Sequence, residues 1–191
     1  MVVWKDYIDQ QFDLIDRSTT WKNDFYGPYF SLLHDLFPPT EGYLVFPQFR
    51  RDTGPRLMDY YTISYVVLKN TTPIFFVEIK SLVALELGRT RAKADADMRT
   101  RCLGFSSDCL PQSKLIGISA MGTRFAAYEY STSDGHINPP RSCDAPKERW
   151  SDDIMEHLGA ARFWALVSEA KEMASAICEH YFLLHSCPFT D

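Results

Sequence analysis

The residues with the clearest chemical potential are Glu78 and Lys80. They close an apolar run, residues 74–77, with only Ile79 between them. Side chains alternate along a strand, so Glu78 and Lys80 share one face and Ile79 takes the other. A carboxylate and an ammonium at the end of a buried strand cost free energy unless they are paired or used. Asp59, opening the preceding strand pattern, offers a second carboxylate. An Asp, a Glu and a Lys gathered at strand ends form a site for a hard divalent cation with a charged helper. The plainer reading of the same residues is a turn cap at Asp59 and a surface ion pair between Glu78 and Lys80.

The surrounding elements must hold these groups in place. Trp4, Ile8, Phe12 and Ile15 recur at helical spacing, so residues 4–16 read as an amphipathic helix. A second helical segment covers 21–37, with Phe25, Tyr29, Leu32, Leu33 and Leu36 apolar and Pro28 marking a kink or a late start. Strands are predicted at 43–49, 59–68 and 74–80. A loop over 50–58 carries Arg50, Arg51 and Arg56, and a turn spans 69–73. The third strand is nearly all apolar, as befits a strand covered on both faces. Residues 83–103 read as a helix, with Val83, Leu87, Ala94 and Met98 on one stripe and Arg89 and Lys93 on another face. Strands follow at 114–120 and 123–130, then a loop over 131–149. The last helix runs from a Ser151 cap towards His185. Its seam of Phe163, Val167, Ala170, Ala174, Ile177, Tyr181 and Leu184 suits packing on the body or on another chain, so a homodimer through this helix is one expectation. The order α-α-β-β-β-α-β-β-α predicts an α/β fold, a mixed central sheet flanked by helices.

Composition sets the frame. A chain of 191 residues with 46% apolar and 24% charged content reads as one globular domain, not a disordered one. No apolar run approaches membrane-spanning length, and the first ten residues lack a signal-peptide pattern, which points to an intracellular protein of the cytoplasm or nucleus. Five cysteines without a C-x-x-C pattern read as free thiols in a reducing compartment. The net charge of −5 is unevenly spread: −3 over residues 1–37, +3 over 38–149 and −5 over 150–191. The basic excess lies on the stretch that holds Asp59, Glu78 and Lys80, which is compatible with a polyanion partner.

An α-β-β-β-α-β order with an Asp at the second strand and Glu-x-Lys closing the third resembles the PD-(D/E)XK nuclease superfamily, which includes many restriction enzymes, Holliday-junction resolvases and RecB-type nucleases. The likeness covers a core at 21–130, with residues 1–20 as an added N-terminal helix and 150–187 as an added C-terminal one. The motif residues are Asp59, Glu78 and Lys80, with F-F-V before Glu78 and a basic helix following Ser81. Met58 stands where the family has proline, and Asp59 lies nineteen positions before Glu78. The chain also resembles short stand-alone fungal proteins that carry this motif.

The resemblance implies a restriction-endonuclease-like core and a nuclease dependent on Mg²⁺ or Mn²⁺, acting on nucleic acid, with DNA favoured over RNA as the substrate. Asp59 and Glu78 would hold the ion through oxygens, with the backbone carbonyl of Ile79 as a further ligand. Lys80 would orient or deprotonate the attacking water, or stabilise charge on the transition state. Members often add an acid from the first helix; Asp24 is the favoured candidate here, with Asp35 and Glu41 behind it. Gln48 on the first strand would face the same cleft, and Arg50, Arg51, Arg89 and Lys93 would contact phosphates. Some members keep the scaffold without the reaction, so the alternative is a catalytically silent module that binds a protein or a nucleic acid.

Other constellations carry less. Cys178, His180, His185 and Cys187 lie within ten residues, but on one helix they fall on two different faces, so a single tetrahedral metal site would need the helix to break near His185. Gly117-Ile-Ser119-Ala-Met-Gly122 is one residue too long for a nucleophile elbow and reads as a strand and turn. No phosphate-binding glycine loop is present, and the aromatic residues fall at core spacings rather than forming a stacking platform.

Overall fold

Helix α1 (Asp6–Asp13) is followed by a 3-10 turn at Lys22–Phe25 and helix α2 (Tyr26–Leu36). Strands β1 (Tyr43–Asp52), β2 (Tyr60–Lys69) and β3 (Thr72–Lys80) form an antiparallel meander. Helix α3 (Gly88–Gly104) then carries the chain across, so that β4 (Lys114–Met121) lies parallel to β3. Strand β5 (Arg124–Ser131) runs antiparallel to β4, and its far edge is shared by two short strands. These are β6 (Ile137–Asn138), beside Glu129 and Tyr130, and β7 (Asp152–Asp153), beside Arg124 and Phe125. Helix α4 (His157–His185) closes the chain. The computed structural model describes residues 4–52, 60–105, 110, 112–142 and 144–185.

The architecture follows from the apolar pattern of β3. Phe75, Val77 and Ile79 point to one face and Phe76 to the other, and all four are fully buried. Both faces therefore need cover. Helices α1, α2 and α4 supply it on the Ile79 side through Ile8, Tyr29, Leu32, Leu33, Phe163 and Val167. Helix α3 supplies it on the Phe76 side through Ala94, Met98 and Cys102, joined by Trp150. Burying an apolar side chain of this size contributes about 1.5–3 kcal/mol, so the two layers fix where α3 sits relative to the end of β3. A mixed seven-strand sheet flanked by helices is the expected class.

Several boundaries differ from the sequence reading. Strand β1 runs on to Asp52, because Arg50, Arg51 and Asp52 pair with Thr62, Tyr61 and Tyr60; Arg50 and Arg51 thus lie on a strand, not in a loop. The tight turn between β2 and β3 is made by Asn70 and Thr71, both with positive φ, the backbone twist that a two-residue hairpin demands. Residues 82–85 form a 3-10 turn ahead of α3, which swings Val83 and Leu87 into solvent and leaves Ala94 and Met98 on the buried stripe. Helix α4 starts at His157 instead of at Ser151, because Asp152 and Asp153 pair with β5 first. Within the seam of α4, Phe163, Val167, Ala170 and Ala174 are buried against this chain's own sheet. Among the described residues, no helix is long and apolar enough to cross a membrane.

Candidate functional site

Strands β2 and β3 part company in front of Glu78. Their ladder runs from Tyr65 opposite Val77 down to the hairpin, with one register shift between Val67 and Leu68, and does not continue past Tyr65 and Val77. Beyond Tyr65, β2 continues paired with β1 alone. Gln48 of β1, exposed and at φ 49°, interrupts that pairing opposite Ser64. The backbone N–H of Ile79 instead donates to Ser64 Oγ at 3.0 Å. The carbonyl of the next residue, Lys80, accepts from Gly122 N–H at 2.9 Å on the β4 side. Backbone groups of successive strand residues point to opposite edges. The Ile79 carbonyl is therefore directed towards β2, into the place where the ladder has opened.

Glu78 and Lys80 share the α3 face, as the alternation requires, and they meet a complementary pair there. Lys80 Nζ lies 2.8 Å from Asp97 Oδ2, with each side chain about a fifth exposed. Arg101 Nε stands 3.9 Å from Glu78 Oε2, beyond hydrogen-bonding distance. The match is geometric. Two residues along a strand advance about 6.6 Å, and four along a helix about 6 Å. Helix α3 runs back against β3, so rising from Glu78 to Lys80 means descending from Arg101 to Asp97. Each charge on the strand thus meets its opposite on the helix.

The two pairs differ in quality. Glu78 is buried, and its Oε2 has no hydrogen-bond partner among the described residues. Its pKa is raised. Burial is the main cause, and the Asp97 carboxylate adds to it, while Arg101, Lys80 and Lys22 pull the other way. A buried carboxylate oxygen left without a donor is costly and calls for an explanation. Asp95, one turn from Arg99 on α3, shows what a satisfied one looks like. It accepts from Arg99 at 2.9 and 3.1 Å, from Tyr128 at 2.9 Å and from Arg149. That cluster clips α3 to β5 and to residues 139–150, and it leaves no acceptor idle.

The remaining candidates fall in different places. Asp59 lies outside the described residues. Asp24 is exposed and accepts from Thr19 Oγ1 at 2.5 Å. Asp35 pairs with Lys5, and Glu41 takes Lys171 at 2.7 Å. Of the first-helix region, it is Lys22 whose charge reaches Glu78. Arg50, Arg89 and Lys93 are exposed. The terminal Cys187 lies outside the described residues, as do the side chains of Cys178, His180 and His185. Among the described residues, no three His, Cys, Asp or Glu side chains gather into a metal-holding group.

Asp97, Arg101 and Ser64 were not picked out by the sequence reading. Asp97 and Arg101 had one signal: an acid and a base at i and i+4, opposite in sign order to Glu-x-Lys, on the helix that directly follows it. Ser64 had none, because its role depends on where a ladder breaks. Two features of the chain suit a hard divalent cation, namely the Oε2 of Glu78, which has no hydrogen bond among the described residues, and the carbonyl of Ile79, both oxygen donors. Comparison with protein-family models, with curated proteins and with solved structures found no match.

Proposed function

We propose that this chain is a Mg²⁺- or Mn²⁺-dependent phosphodiesterase that cuts nucleic acid, DNA in preference to RNA, at the Glu78 end of β3 on a PD-(D/E)XK-type scaffold. The observation that carries the reading is the buried Glu78 Oε2 without a hydrogen-bond partner among the described residues, beside a half-open strand pair and a lysine on the same face. Glu78 and the Ile79 carbonyl would hold the ion, with Asp59 as the second carboxylate. A bound divalent ion supplies charge neutralisation at phosphate and a more acidic water. Lys80 has three donors, of which one goes to Asp97, so the others are available to a water or a phosphate oxygen. Arg101 and Lys22 add positive charge around the carboxylate.

The test is cleavage of labelled single- and double-stranded DNA and RNA with Mg²⁺ or Mn²⁺. Wild-type protein is expected to cut, and Glu78→Ala and Lys80→Ala to lose activity by a factor of 100 or more on the order expected for removed catalytic groups. No cleavage with either ion would overturn the reading. One feature favours the second reading, a silent binding module: each charge at the end of β3 already faces an opposite charge on α3. That reading expects binding of a partner without metal and no effect of Lys80→Ala.

A further inference from the structure

Lys80 is a long side chain on a strand end, and a free lysine there would sample several rotamers. Ordering such a side chain costs rotamer entropy, which something must offset if the ammonium is to occupy one place. Asp97 is the residue that does so. Its Oδ2 accepts from Lys80 Nζ at 2.8 Å, a charge-assisted hydrogen bond of ordinary strong length. Asp97 is itself well anchored. It neighbours Met98 on α3, and Ala94, Met98 and Cys102 are fully buried against the sheet. Each side chain of the pair remains about a fifth exposed, so the pair is not sealed from solvent.

We propose that Asp97 is the positioning residue of this site: it fixes the Lys80 ammonium beside the Glu78 carboxylate and so determines where its free donors meet the reacting phosphate. The proposal rests on the phosphodiesterase reading for its catalytic consequence, but the fixing of Lys80 is measurable without it. Asp97 does not touch the reacting atoms; it acts through Lys80. Asp95, two residues earlier, cannot substitute, because its oxygens are taken by Arg99, Arg149 and Tyr128.

The test has two arms on the full chain. In the first, metal-free wild type, Asp97→Asn and Asp97→Glu are reductively methylated, and labelling of Lys80 is followed by peptide mass spectrometry against exposed Lys22. Asp97→Asn is expected to raise the Lys80 labelling rate several-fold at an unchanged Lys22 rate, and Asp97→Glu to restore part of the protection. In the second, steady-state cleavage is compared in wild type, Asp97→Asn, Lys80→Met and the double variant. Asp97→Asn is expected to lower kcat about tenfold or more with KM held within about twofold, the pattern of a lost transition-state contact. In the Lys80→Met background its removal is expected to cost almost nothing further. Unchanged Lys80 labelling in Asp97→Asn overturns the proposal whether or not the protein cuts DNA, and so do additive rate losses. Labelling that responds in a protein that cuts nothing upholds the hold of Asp97 on Lys80 and overturns the phosphodiesterase reading instead.

Discussion

A single methyl group at Gly117 is expected to unseat α3. Gly117 sits on β4 directly beside Phe76 of β3. A Cβ there would come within 2.3 Å of Phe76 Cζ, 2.4 Å of Phe76 Cε1 and 2.9 Å of Met98 Cε. Non-bonded carbons settle at about 3.5–4.0 Å, so the ring must retreat by more than about 1 Å. Phe76 and Met98 are both fully buried, which leaves them nowhere to go except outward with the helix. Overpacking of this kind costs about 1–3 kcal/mol. In a chain of this length about 1 kcal/mol moves Tm by roughly 2–4 °C, so Gly117→Ala should lower Tm by about 2–12 °C. The same displacement reaches the site, since Glu78 lies two residues beyond Phe76 and Asp97 is next to Met98. Calorimetric melts of Gly117→Ala alone and combined with Phe76→Leu make the test, the smaller side chain being expected to restore part of the loss. A Tm for Gly117→Ala equal to wild type within about 1 °C would refute the reasoning, because α3 would then not be seated on the sheet through this contact.

Three further outcomes are expected. Glu78→Gln should raise Tm at pH 7.5 and lose that advantage near pH 4. In acid the carboxyl is neutral in both folded and unfolded chains. Above the ordinary carboxylate range the unfolded chain ionises freely while burial resists it, so wild type loses stability as pH rises through the raised pKa of Glu78 and the amide variant does not. Asp95→Ala should cost about 3–5 kcal/mol in denaturant melts, since it strands two guanidiniums of low exposure, Arg99 and Arg149, without their carboxylate. Cys102, fully buried and with its thiol pushed up to about 12 by burial, should stay unmodified by maleimide in the native protein and react on unfolding, as read on its own peptide.

Much of the fold was legible because it is carried by local apolar pattern. The continuous apolar run of β3 announced a strand covered on both faces, and the buried side chains Tyr29, Leu32, Leu33 and Leu36 fall where helical spacing placed them, whereas Phe25, also buried, sits in a 3-10 turn ahead of the helix. The misplacements share a cause, which is that pairing partners decide where an element ends. Arg50 and Arg51 join β1 because Thr62 and Tyr61 stand opposite. The start of α4 moves to His157 because Asp152 and Asp153 are drawn into the sheet by Arg124 and Phe125. Val83 and Leu87 fit a helical stripe by spacing, yet a 3-10 turn intervenes and exposes both.

The site divides the same way. That Glu78 and Lys80 share a face follows from strand geometry and could be read directly. That they face Asp97 and Arg101 depends on α3 running back against β3 at matching spacing, a tertiary fact. The β2–β3 ladder ends short of Ser64, opposite the irregularity at Gln48 in a different strand, and neither feature has a local pattern to mark it. Asp24 was a candidate by its place near the first helix; the local hydrogen bond from Thr19 to its carboxylate was not legible from spacing.

The proposed function holds that the buried oxygen of Glu78, without a hydrogen bond among the described residues, binds a cation, and titration with Mn²⁺ followed by electron paramagnetic resonance tests it most directly. Wild-type protein is expected to show a saturable Mn²⁺ site that is lost in Glu78→Gln and kept in Asp24→Asn. A wild-type chain that binds no Mn²⁺ at millimolar concentration, or a Glu78→Gln variant that binds it unchanged, would contradict the account.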